Sequence, residues 1–185
     1  FSNFARASSV SEALALVQRY VPMFADMTTL QLREFMLDSE VLAPRSGETI
    51  FKKDDYTNSF FSIVDGDVMI EVPDENGKPR DVALSRGQFF GELGLLSGRR
   101  RSGTVRAGAD CVLIETPRRS MLKLIASIES VRRQVDETSL RRAVRAQIAP
   151  MVSEADLDEI VKGAVIRSFA AGQTVFKEGD AADGL

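Results

Sequence analysis

Four turn dipeptides punctuate the stretch between Val41 and Ile114: Ser46-Gly47, Asp65-Gly66, Asn76-Gly77 and Arg86-Gly87. They limit what this part of the chain can become. Each supplies a residue that tolerates positive φ, and each is flanked by short apolar runs. Phe60-Phe61-Ser62-Ile63-Val64 precedes Asp65-Gly66, and Val68, Ile70 and Val72 follow on alternating positions. Period-two patterning around a two-residue turn predicts a hairpin there. Asn76-Gly77 predicts the next hairpin tip. The stretch therefore reads as a series of short antiparallel strands.

Helical patterns flank it. Ser9-x-x-Glu12 reads as a capping box, and Val10, Ala13, Leu14, Val17 and Val21 follow helical spacing, so a helix is expected over 10–20. Pro22 ends it. Thr28-x-x-Gln31 predicts a second capped helix running to about Leu37. After the strands, Thr116 reads as an N-cap with Pro117 at the first helical position. Met121, Leu122, Leu124 and Ile125 give that helix an apolar face. A longer helix is expected from about Ser130 to Gln147, some ~27 Å at ~1.5 Å per residue.

The run from Phe89 to Ala107 carries the chemistry. It reads Phe-Phe-Gly-Glu-Leu-Gly-Leu-Leu-Ser-Gly-Arg-Arg-Arg-Ser-Gly-Thr-Val-Arg-Ala. Glycines let backbone amides approach a phosphate closely. A short helix starting at Gly91 or Glu92 aims further amides at an anion. One arginine can clamp that anion through two parallel hydrogen bonds. The single acid, Glu92, suits a sugar hydroxyl instead. Phosphate plus ribose within one loop points to a nucleotide.

This run resembles the phosphate-binding cassette of the cyclic-nucleotide-binding domain family, whose pattern is F-G-E-L-(A/G)-L-x-x-G-x-x-R-x-(A/G)-T-V-x-A. The match is without a gap; the position before the arginine, often proline, is Arg100. The resemblance implies that Glu92, helped by the Gly91 amide, meets the ribose 2′-hydroxyl, and that Arg101 pairs with the cyclic phosphate. It implies that the amides of Gly94 and Ser102 complete the cradle, and that Leu93 belongs to the same ligand-binding set. Arg99 and Arg100 read as solvated. The family also uses a lid side chain about forty residues after the arginine, which places Leu140 or Arg142 there. The implied fold is mainly β: an antiparallel, jelly-roll-like β-roll with N-terminal helices and C-terminal hinge and lid helices. The implied ligand is cAMP or cGMP. A hydroxyl at Ser102 is compatible with both, and cAMP is the preferred expectation.

An internal repeat sets the organisation. Gly172-Gln173-Thr174-Val175-Phe176-Lys177-Glu178-Gly179-Asp180 echoes Gly47-Glu48-Thr49-Ile50-Phe51-Lys52-Lys53-Asp54-Asp55, and Leu157 stands at the same offset from Leu32. Ala149-Pro150-Met151 echoes Val21-Pro22-Met23. The expected division is a complete domain over 1–148 and the start of a second, incomplete one over 149–185. Tandem sensors of this kind serve an effector, which this chain does not contain.

Composition narrows the function classes. The 185 residues include no histidine, which removes the usual general base and the commonest metal ligand. No catalytic site, metal or cofactor is expected. The formal net charge of -3 gives no overall basic field for nucleic acid. The one cysteine, Cys111, lies in an apolar run and suits a buried thiol in a reducing, cytoplasmic setting. No membrane span is expected. Arg99-Arg100-Arg101-Ser102 also fits a basophilic kinase pattern, which short basic runs match by chance. Two other classes stay open: a catabolite-activator-type transcription regulator, and a degenerate roll serving as an interaction scaffold. Oligomeric state is not legible.

Overall fold

The computed structural model describes residues 9–148 except 75 and 99, and residues 152–179 except 168. The echo at 149–151 and the Arg99 reading lie outside the described residues. The chain divides into two compact units between Ser139 and Leu140.

In the first unit α1 (Val10–Tyr20) starts at Ser9, whose hydroxyl accepts from the Glu12 amide. A 3-10 turn at Pro22–Phe24 leads to α2 (Thr29–Leu37). Its capping box is complete: Thr28 Oγ1 accepts from Gln31 N and Gln31 Oε1 accepts from Thr28 N. Eight strands follow: β1 (Glu40–Leu42), β2 (Thr49–Phe51), β3 (Ser59–Asp65), β4 (Asp67–Pro73), β5 (Pro79–Ser85), β6 (Phe89–Phe90), β7 (Thr104–Ala107) and β8 (Val112–Pro117). The short α3 (Glu92–Ser97) lies between β6 and β7, and α4 (Arg118–Ser127) and α5 (Glu129–Ala143) close the order.

The strands form two four-stranded antiparallel sheets, ordered β1-β8-β3-β6 and β2-β7-β4-β5. This is the expected β-roll with flanking helices. The space between the sheets is filled from both, by Phe51, Val68, Leu84 and Val105 on one side and Phe61, Ile63, Phe90 and Leu113 on the other. The outer face of the first sheet is covered by helices. Phe60, Val64, Phe89 and Ile114 pack there against Val17, Phe24, Met121, Leu124 and Val131. Strand β3 is thus buried on both faces, which explains its unbroken apolar run. Each fully buried side chain of this size contributes about 1.5–3 kcal/mol.

Three sequence expectations need correction. Asp65-Gly66 does not make a hairpin: β3 pairs with β6 and β8, and β4 pairs with β5 and β7. Gly66 turns the chain from one sheet to the other. Its φ is 68°, and a Cβ there would lie 2.4 Å from Ala109 O. Thr116 is not an N-cap. It sits in β8, fully buried, and its hydroxyl meets that of Ser39 at 3.1 Å, while Pro117 occupies the cap position. The long helix starts earlier and changes form: α5 ends at Ala143, and a π-helical turn spans Val144–Ile148.

The second unit contains the end of α5, that π turn and α6 (Glu154–Gly163). Ser153 caps α6 by accepting from Asp156 N. Val144 and Leu157 are buried. Arg141 pairs with Asp158, holding its carboxyl below the ordinary value, and Arg145 pairs with Glu154 at 2.6 Å. Among the described residues no helix is long and apolar enough to cross a membrane.

Candidate functional site

Strand β6 delivers the chain to Gly91, which caps α3 in the left-handed region at φ 90°. Gly98 closes the helix, also left-handed, with its amide on Gly94 O. Between them Glu92 is 2% exposed, Leu93 projects to solvent and Gly94 is buried. The return path carries Arg101, Ser102 and Gly103 into β7. Ser102 is exposed. Gly103 passes so close to β4 that a Cβ would lie 2.6 Å from Glu71 O.

Arg101 is the centre of this arrangement, and it is only 3% exposed. Its Nε donates to Thr57 Oγ1 at 2.6 Å, Nη2 to Ser59 O at 2.6 Å and Nη1 to Gly91 O at 3.2 Å. The guanidinium carbon stands 4.1 Å from the Phe51 ring centre and 5.8 Å from that of Phe61, within cation–π range. Burial pulls the Arg101 pKa below its ordinary value, against the opposing pull of Glu115, then Glu92 and Asp55. A buried charge of this kind persists only when paired and hydrogen-bonded.

The segment 52–59 is tied to the cassette's return path by backbone as well. Arg101 N donates to Asp55 O and Asp54 N to Arg101 O, at 3.0 and 2.9 Å. Asp54 holds φ 67°, and Lys53 N donates to Thr104 Oγ1. Arg100 is exposed but engaged: its Nη1 donates to Asp54 O, and its guanidinium faces Tyr56 at 5.6 Å. A cleft of about 350 Å³ opens beside this cage, with Phe51, Thr57 and Phe61 as shared walls and Arg45 and Glu115 at its polar side.

The structure therefore gathers Gly91, Glu92, Leu93, Gly94, Arg101 and Ser102 in one loop of the first unit. Leu140 and Arg142 fall in the second unit, both half-buried. Sequence reading missed Thr57, Ser59 and Phe51. Nothing local marks them, because Thr57 lies 44 residues from Arg101. No group of carboxylates and cysteine suited to a metal occurs among the described residues.

Comparison with known proteins bears on the segment that contains this loop. Residues 44–128 match the family model of the cyclic nucleotide-binding domain. The cGMP-dependent protein kinase of Plasmodium berghei is 30% identical over 146 residues, covering 76% of this chain and 16% of that protein. A cyclic nucleotide-gated potassium channel of Rhizobium etli is 31% identical over 125 residues, covering 66% and 33%. The chain spans about a third or less of the length of the curated relatives it matches. Among solved structures, the regulatory domain of Toxoplasma gondii PKA with cAMP shares the fold: TM-score 0.59, 18% identity, covering 84% of this chain and 59% of that one. The matched segment contains all of β2–β8, the cassette and α4.

Proposed function

We propose that the first unit binds a cyclic nucleotide, cAMP in preference to cGMP, and reports its presence to an effector outside this chain. The observation that carries this is the convergence of Arg101, Glu92 and the Gly91 and Gly94 backbone in one loop, inside the segment that matches the domain family. In this reading Arg101 takes the cyclic phosphate through a bidentate edge, Glu92 takes the ribose hydroxyl, and the amides of Gly94 and Ser102 close the cradle.

A route for the signal starts at β6. Phe89 stands two residues before Gly91 and packs against Phe60 in a tilted arrangement, ring centres 5.1 Å apart. Both belong to the helix-side core with Met121 and Leu124 of α4. Movement of the cassette would thus be felt by α4 through packed side chains. Only contacts that differ between the two states can drive such a change.

The second unit supports a tandem arrangement. At an offset of 125 residues from the first unit, Ala170 and Gln173 repeat the Arg45–Glu48 turn bond for bond: the side-chain oxygen at the fourth position accepts from the first amide, and the fourth amide donates to the first carbonyl. Gly47 and Gly172 share φ 82°. The residues present include no second cassette, so one nucleotide per chain is expected.

Titration calorimetry of cAMP and cGMP against the protein and its Arg101→Ala variant tests the reading. Loss of a charge-assisted bidentate contact predicts about 30- to 1000-fold weaker binding. Equal affinity in the variant, or no binding of either nucleotide to the wild type, would overturn it. Ser102→Ala is expected to weaken both nucleotides together; loss of cGMP alone would reverse the preference.

A further inference from the structure

Arg101 presents its donors as a planar fork, and Nε with Nη2 forms one edge of two parallel N–H bonds. That edge is the one suited to two oxygens of a phosphate. Here it meets Thr57 Oγ1 and Ser59 O, both at 2.6 Å. The Phe51 and Phe61 rings flank the guanidinium, and the residue is 3% exposed. We infer that Thr57 and Ser59 act as a built-in competitor for the phosphate edge of Arg101, and that Thr57 sets the affinity for nucleotide by holding the arginine inward. The inference rests on the proposed phosphate role of Arg101.

Three oxygens hold the guanidinium, and two of them are backbone carbonyls, of Ser59 and Gly91. No side-chain substitution removes those. Thr57 is the adjustable partner. Thr57 also lines the neighbouring cleft, as do Phe51 and Phe61, so the bond to Arg101 is made beside open space. A phosphate can gain the Nε/Nη2 edge only by displacing Thr57 Oγ1 and Ser59 O. The free energy of those two bonds is therefore subtracted from the binding free energy. This makes Thr57 a positioning residue that acts through Arg101.

Thr57→Val keeps the side-chain shape and deletes the acceptor. The free protein then carries a buried, unpaired Nε–H, whereas the complex, in which Arg101 has left Thr57, is unaffected. cAMP should bind about 5- to 30-fold tighter to Thr57→Val. Thr57→Ser, which keeps the hydroxyl, should match the wild type. The melting temperature of Thr57→Val should fall without nucleotide and return to the wild-type value at saturating cAMP. Equal or weaker binding by Thr57→Val overturns the inference. A second measurement needs no variant: the Arg101 Nε–H resonance, expected to exchange slowly in the free protein, should shift when cAMP is added, and an unchanged resonance at saturation also overturns the inference. If the wild type binds no cyclic nucleotide, the proposed function fails and this inference with it. If binding is lost in Arg101→Ala yet unchanged in Thr57→Val, only the inference fails.

Discussion

Gly91 and Arg101 fit together because Gly91 has no side chain. A Cβ at Gly91 would lie 2.7 Å from Arg101 Nη1 and 2.9 Å from Ser59 O, and the glycine's φ of 90° is one that other residues reach only with strain. The carbonyl of the same residue accepts from Nη1. One backbone position thus gives the arginine both its space and one of its bonds.

Gly91→Ala should therefore destabilise the first unit by about 1–3 kcal/mol, combining left-handed strain with displacement of a buried charged group. A urea melt measures it. Part of the loss should disappear in a Gly91→Ala/Arg101→Met background, because the clash with the guanidinium is gone while the left-handed strain and the close approach to Ser59 O remain. Additive losses in the double variant would show that the two residues are not coupled.

The cassette run and the helix caps at Ser9 and Thr28 were legible in the sequence because their signals are local, whereas the cap expected at Thr116 was not one. Gly91, Glu92 and Arg101 lie within eleven residues, and Thr28 and Gln31 within four. The route of the chain between sheets was not. A Gly at positive φ states that the chain turns; it does not state which strand the next one will join. Of the four turn dipeptides, only Asn76-Gly77 ends in a paired hairpin, β4 with β5. The turns at Ser46-Gly47, Asp65-Gly66 and Arg86-Gly87 each carry the chain from one sheet to the other. The decisive pairings, such as Ser62 with Ile114, join residues more than fifty apart. Thr57 was hidden for the same reason. A threonine in a polar loop acquires its meaning only when folding places a buried guanidinium beside it.

Ser62 offers a test of the helix-side core. It is fully buried in β3, and its hydroxyl has no hydrogen-bond partner among the described residues. Burying an unpaired hydroxyl costs free energy, so Ser62→Ala should leave stability unchanged or raise it by up to about 1 kcal/mol. A clear fall in the urea midpoint would mean that the hydroxyl has a partner in solution.

Cys111 gives a pH dependence with a definite sign. Burial, with Asp67 and then Asp65 adding, pushes its thiol from 9.0 up to about 11, while a bond involving the Gly108 backbone opposes the shift. The folded chain thus holds the proton more tightly than the unfolded one. The resulting stability is complete below the ordinary thiol pKa and is lost as pH rises from 9.0 towards about 11. Urea melts near neutral pH and near the upper end of that window should show the fall, and a Cys111→Ala variant should lack that component of it. In the folded protein near neutral pH, a disulfide reagent should react with Cys111 only after denaturant is added.

Glu115 exerts the largest of the carboxylate pulls that oppose desolvation of Arg101, and it lines the cleft beside the cage. Its charge has two opposite consequences. It helps the protein tolerate a buried guanidinium, and it repels an anionic ligand approaching the same group. Glu115→Gln keeps the size and removes the charge. Folding stability should fall by about 0.5–2 kcal/mol, because Arg101 loses part of its compensation. Affinity for cAMP should nevertheless rise several-fold, since the phosphate no longer meets a like charge. The gain should shrink as salt is raised, because the cleft is open to solvent and the repulsion is partly screened. Titrations of wild type and Glu115→Gln at low and high salt separate the two effects. A fall in affinity alongside the fall in stability would mean that Glu115 supports the bound state rather than opposing it.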